Sequence, residues 1–105
     1  MGDRPQTRLT SMEVSELPEE CIFEITDEDG QRVGVIDYHL RDGALVMTRA
    51  EVDREVEGRG VGTTLVLGAL DQVRDSGRVV VPVCPFISYV IDKHPEYIDL
   101  VPPPA

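Results

Sequence analysis

The chain has 105 residues, 41% of them hydrophobic and 29% charged, enough for one compact domain and too few for a second. No run nears the ~18 apolar residues that read as a membrane span, Met1–Thr7 lacks the apolar core of a secretory signal, and Gln6 breaks the myristoylation pattern, so a cytoplasmic protein is expected. Twenty acidic residues against ten basic give a formal charge of −10; that surface disfavours nucleic acid and anionic lipid as partners and admits a cationic amine.

Residues 1–12 are polar and without periodicity, which reads as a disordered tail preceding a domain over residues 13–101. The acids between Met12 and Gly30 face no Lys or Arg in that stretch, and their plainest role is solubility. From Cys21 the pattern changes: Cys21, Phe23 and Ile25 alternate with Ile22, Glu24 and Thr26, the period of a half-buried strand. Asp27–Gln31 is a turn with Gly30 at its positive-φ position. A second strand runs from Val33 to Leu40, with a phase change that predicts a bulge beside Gly34.

Arg41-Asp42-Gly43 turns the chain into a third strand, Ala44–Val52, with Val46, Thr48, Ala50 and Val52 expected on one face and Leu45, Met47, Arg49 and Glu51 on the other. Three strands joined by short Gly-containing turns make an antiparallel meander. The period then becomes helical: Val61, Leu65, Val66, Ala69, Leu70 and Val73 form one stripe over 61–76, and Gly77 marks the stop.

Val79-Val80-Val81 is apolar on both faces, as in an interior strand over Arg78–Cys84. Strand, helix, strand predicts a right-handed crossover, with Val79–Val83 parallel to the neighbourhood of Thr48–Val52. Pro82 cannot donate to a ladder, so the pair must loosen there. Pro85 suits the first turn of a short helix to Lys93, and residues 102–105 are a terminal extension. The fold class is therefore α/β in the broad sense (α+β): a three-stranded antiparallel meander, a β-α-β crossover with a splayed parallel pair, and a short C-terminal helix.

Glu57-Gly-Arg-Gly-Val-Gly62 lies between a strand and a helix. Glycines at a helix start leave amides free, and the dipole favours an anion there. The spacing is neither a Rossmann fingerprint nor a nucleotide P-loop, so phosphate binding and a mere tight turn stand as alternatives. Cys21 and Cys84 match no metal or redox spacing, and two free thiols are expected.

The run from Ala50 to Leu65 resembles the acetyl-CoA-binding motif of the GCN5-related N-acetyltransferases. Val81-Pro-Val-Cys-Pro-Phe86 and His94-Pro-Glu-Tyr97 resemble the short branch of that family, about one hundred residues long. The likeness spans roughly Glu13 to Val101 and implies a minimal acyl-CoA N-acyltransferase fold. It further implies that Gly58, Arg59, Gly60, Val61, Gly62 and Thr63 hold the pyrophosphate of coenzyme A. Glu51 and Val52 on the strand edge would bond the pantetheine arm. The chain departs from the pattern at Glu57, where the family has Gln or Arg, and at Arg49, where the short branch often has His.

For catalysis Cys84 is the first candidate, as a proton donor or acyl carrier at a helix N-terminus, against packing as a small apolar residue. Tyr89 is a weaker candidate as a hydroxyl donor and Glu51 as a proton acceptor. Tyr97 is assigned to the core and His94 to a helix end. No metal is expected. The function implied is transfer of an acetyl group from acetyl-CoA to an amine, by a monomer or weak homodimer; the alternative is a coenzyme A-binding module without catalysis.

Overall fold

A computed structural model of the chain describes residues 12–103. Five strands form one sheet in chain order: β1 (Glu13–Leu17), β2 (Ile22–Thr26), β3 (Arg32–Arg41), β4 (Ala44–Val52) and β5 (Val79–Pro82). The first four pair antiparallel, and β5 pairs parallel to β4. Helix α1 (Val61–Asp75) is the crossover between β4 and β5, and α2 (Pro85–Lys93) follows β5. The tail expected over residues 1–12 lies outside the described residues apart from Met12, which packs against the core.

The meander therefore has four strands where the sequence pattern predicts three. β1 occupies part of the acidic stretch read as a solvated run. Its partner on the helix side is α1, whose Gln72 Nε2 donates to Val14 O at 2.6 Å. The turns follow their sequence cues. Asp42 and Gly43 have φ of 52° and 82°, the doubly positive geometry of a tight hairpin. Asp27 Oδ1 accepts from the amides of Asp29 and Gln31, both at 2.9 Å.

Two irregularities set the faces of the central strands. Ile25 pairs with Gly34 and Thr26 with Arg32, so Val33 is an extra residue beside Gly34, where the bulge is expected. On β4, Arg49 pairs with Asp37 but Met47 with Tyr38, which leaves Thr48 as a second extra residue. This bulge overturns the strict alternation expected for β4. The core face runs through Leu45 and Met47 and resumes at Ala50 and Val52, while Arg49 and Glu51 are exposed on the other side.

The six apolar residues of the predicted helical stripe are all buried, in one core with Phe23, Ile25, Ile36, Leu45 and Val80 and with Ile87, Val90 and Ile91 of α2. Both helices thus cover the same sheet face. Gly77, at φ 73°, closes α1, and the Arg78 amide reaches back to Val73 O at 3.0 Å. β5 is an edge strand, against the interior strand expected from its apolar run: Val80 is fully buried, but Val81 faces outward.

Candidate functional site

The parallel register differs from the expected one, and the difference creates the site. β5 pairs with β4 only over Ala44–Met47, ending at Met47 opposite Pro82. The next two amides, Val83 and Cys84, both donate to Met47 O, at 3.0 and 3.1 Å. One carbonyl serves as the fork, and beyond it β4 continues through Thr48–Val52 without a β5 partner. Pro82 has no N–H to extend the ladder, and Pro85 starts α2 as its first residue, turning the chain away.

Hydrogen-bond parity shows which backbone groups face that gap. The Asp53 amide donates to Val33 O at 2.8 Å, and alternate residues of an antiparallel strand bond to the same neighbour. Arg49 and Glu51 thus turn their backbone to β3, while Ala50 and Val52 turn theirs to the side that β5 has left. Of the two residues expected on the strand edge, Val52 presents its backbone there and Glu51 does not.

After a short 3₁₀ turn, Arg54–Val56, the glycine loop leads into α1. Gly58 and Gly60 have φ of 83° and 78°, a region in which only glycine rests without strain. Gly60 is the N-cap of α1, and no side chain caps the helix. Its carbonyl accepts from the amide and hydroxyl of Thr64, at 3.0 and 2.9 Å. Among the described residues, nothing accepts from the amides of Gly58 through Thr63. Uncapped donors at the positive end of a 15-residue helix make a preformed anion cradle.

A cleft of about 340 Å³ lies beside the glycine loop, lined by Ala50 and Val52 of β4, by residues 56–58 and 60–63, and by Phe86. Its lining is largely apolar, with the backbone amides of the glycine loop beside it, a form suited to a ligand with a charged head and a slender tail. Glu57, the departure at the first motif position, lies exposed at the rim.

The catalytic candidates do not converge there. Cys84 is the N-cap of α2, 7% exposed, within the hydrophobic core and outside the cleft lining. Glu51 is exposed and pairs with Arg49 at 3.1 Å, which in turn holds Asp37 at 2.7 Å. Tyr89 is exposed beside the cleft, its ring 6.4 Å from that of Phe86. His94 caps the end of α2, its amide bonded to Ile91 O at 3.0 Å. Tyr97 is half-buried against the core and donates to Asp71 Oδ1 at 2.6 Å. That bond, with some burial, pushes its phenol up to about 12. Both cysteines are free. Among the described residues, no three His, Cys, Asp or Glu side chains gather where a metal ion could sit.

Phe86 is the cleft residue that pattern reasoning did not single out as functional. The signal was its place two residues after Cys84, at the start of a helix facing the splayed strand. The Thr48 bulge brings Ala50 to the same face as Met47, against the alternation expected for β4.

The model of the family described as GCN5-related N-acetyl-transferase matches residues 22–100. Among solved structures, the NMR solution structure of a GCN5-like protein from Staphylococcus aureus superposes with a TM-score of 0.66 at 22% identity. The match covers 91% of this chain and 93% of that one, a likeness of fold. No curated protein matches the chain. With the family model covering most of the described fold, from β2 to the last helical turn, the chain belongs to the GCN5-related N-acetyltransferase family.

Proposed function

We propose that this protein binds acetyl-CoA in the cleft between β4 and α2 and transfers the acetyl group to an amine. The observation that carries this reading is the run of acceptor-less amides from Gly58 to Thr63 at the mouth of a gap opened by the Met47 fork. Those amides and the α1 dipole would hold the diphosphate. The backbone of Val52 and Ala50 would bond the pantetheine arm as an added strand does. Acetyl-CoA would supply the activated thioester.

The chain's own part is then positional and electrostatic. Direct transfer needs a neutral amine held within reach of the thioester carbonyl: its nitrogen would bond the carbonyl carbon as the C–S bond breaks, and coenzyme A would leave as the thiol, taking up the proton the amine gives up. The Ala50 amide, at the acyl end of that arm, is the donor this chain offers to the charge that develops on the carbonyl oxygen. Exposed acids at Glu51, Asp53, Glu55 and Glu57 favour approach of a cationic acceptor, which must lose its proton before attack. In this reading the domain of residues 13–101 works in the cytoplasm as a monomer or weak homodimer, without nucleic acid or membrane as partner.

A second reading, a coenzyme A-binding module without catalysis, draws on one specific observation: Cys84 packs in the core rather than in the cleft. Calorimetric titration with acetyl-CoA tests the binding that both readings share; no heat at near-millimolar ligand defeats both. Mass spectrometry after incubation with acetyl-CoA and a panel of amines separates them. Transfer by both the wild type and Cys84→Ala supports direct attack, whereas an inert wild type supports the binding module.

A further inference from the structure

Two aromatic rings beside the glycine loop stand outside the hydrophobic core. Phe86 lies against the first turn of α1: a Cβ built on Gly62 would be 3.2 Å from Phe86 Cζ and 3.4 Å from Val52 Cγ2. The ring is nevertheless 38% exposed. Tyr89, 55% exposed, stacks beside it with centroids 6.4 Å apart and an interplanar angle of 27°. At that separation the rings are offset, and both keep open faces. Lys93 Nζ lies 5.5 Å from the centre of the Tyr89 ring. Lys93 is the chain's sole lysine, and among the described residues no carboxylate forms an ion pair with it. Residues 86, 89 and 93 share one face of α2 by their spacing of three and four. That face leads away from the fork. Pro85 opens α2 directly after the Cys84 amide that bonds Met47 O, so Lys93 stands roughly 10 Å further along the helix than Phe86.

We propose that Phe86, Tyr89 and Lys93 bind the nucleotide end of coenzyme A, with the adenine across the two rings and the ribose-bound phosphate at the Lys93 ammonium. The inference rests on the coenzyme A reading given above and concerns the end of the ligand opposite the thioester. With the diphosphate on the Gly58–Thr63 amides and the arm running from Val52 toward Ala50, the nucleotide leaves the loop on the other side. The Phe86 ring is the aromatic surface that touches that loop's helix turn, and Tyr89 continues it outward. A base stacks on such rings through its flat face, whatever its hydrogen-bonding edges. The attraction between ammonium and ring keeps Lys93 beside the platform. In a chain of formal charge −10, a cation without a carboxylate partner is free to meet a phosphate.

The test pairs calorimetry at low ionic strength, where an exposed charge contact is least screened, with proton NMR of the bound ligand. The probes are coenzyme A and dephospho-coenzyme A, which lacks the ribose-bound phosphate. On the wild type the adenine ring protons are expected to shift upfield, and coenzyme A to bind at least about threefold more tightly than the dephospho form. Tyr89→Phe keeps the adenine shifts. Tyr89→Leu loses most of them and weakens both ligands at least about fivefold, while the methyl resonances of the pantetheine arm still move on binding. Lys93→Gln brings the two ligands to equal affinity. If coenzyme A binds and the adenine shifts survive in Tyr89→Leu, or the preference for coenzyme A survives in Lys93→Gln, the proposal is overturned and the coenzyme A reading stands. If the wild type binds neither ligand, that reading fails and this one with it.

Discussion

Arg78 grips both carboxylate oxygens of Glu16 across 62 residues of chain, with Nη2 2.9 Å from Oε1 and Nη1 3.1 Å from Oε2. The same carboxylate accepts the phenol of Tyr38. Three charged or polar groups, from β1, β3 and the residue just before β5, thus meet, with Tyr38 buried and the two charged side chains half-buried. The Arg78 and Glu16 side chains are 28% and 15% exposed. An exposed pair contributes about 0–1 kcal/mol, whereas breaking a buried one costs about 3–5. Arg78→Ala, which strands Glu16 beside Tyr38, is expected to cost about 1–3 kcal/mol, read as a lower urea midpoint with an unchanged m-value. A loss below 0.5 kcal/mol would mean that the pair is a surface contact after all.

The same cluster gives stability a defined pH dependence. The bond from Arg78 holds the Glu16 carboxyl below its ordinary value of 4.5, against a smaller opposing effect of burial. A lowered folded value means that the contribution is complete above pH 4.5 and is lost as the pH falls through the folded value. Tyr38 behaves in the opposite sense. Burial first, and then its bond to Glu16, raise the phenol far above its ordinary 10. Its contribution is complete below pH 10 and is lost as the pH climbs beyond it. Urea midpoints taken from pH 3 to 11 are expected to fall at both ends. Subtracting the Glu16→Gln curve should remove the acid limb shared with the other carboxylates and leave the part due to this contact. The Tyr38→Phe curve does the same at the alkaline end. Parallel curves for the wild type and Glu16→Gln below pH 5 would sink the assignment.

The sequence made the α1 stripe, the turns at Gly30 and Gly43, the bulge beside Gly34 and the loosening at Pro82 legible, because each is written in local residue chemistry. β1 was not legible for a physical reason. Glu16 points inward to Arg78 and Tyr38, so a strand position that ought to be apolar carries a charge whose partner is 62 residues away. The register of β5 was equally hidden. A parallel pair has no connecting turn to fix its alignment, and Val79–Val81 would satisfy either the start or the end of β4. The cleft was half legible: the glycines announce the loop, but the inward turn of Ala50 depends on one extra residue at Thr48 that no pattern of alternation reveals.

Gly68, in the middle of α1, is a position where a helix-favouring substitution should do harm. Glycine in a helix interior is ordinarily about 0.5–1 kcal/mol worse than alanine. Here a Cβ would stand 2.7 Å from Val14 Cγ2 and 2.9 Å from Val14 Cβ, and the β-branched side chain has little freedom to yield. Gly68→Ala is expected to destabilise by about 1–3 kcal/mol, and Val14→Ala in the same chain should recover a large part of the loss. A double-mutant cycle in urea reads this as a coupling above about 0.5 kcal/mol. If Gly68→Ala stabilises the protein, β1 does not pack on α1 as described.

Gly60 and Gly77 allow backbone strain to be separated from ligand binding. Both sit at similar positive φ, 78° and 73°, and a Cβ on either would meet nothing within 4 Å. Alanine at each position should therefore cost a similar amount, about 1–2 kcal/mol, from the left-handed conformation alone. Their places differ: Gly60 caps the start of α1 and orients the amides that follow, while Gly77 closes the far end of the helix. Relief of strain at Gly60 rotates those amides away from a common focus, and acetyl-CoA binding should weaken at least about tenfold, the worth of one lost charge-assisted hydrogen bond. Gly77→Ala should bind as the wild type does once the folded fraction is matched. Equal binding by the two variants would detach the glycine loop from the ligand, because the strain is common to both and only the direction of the amides at the cleft mouth distinguishes them.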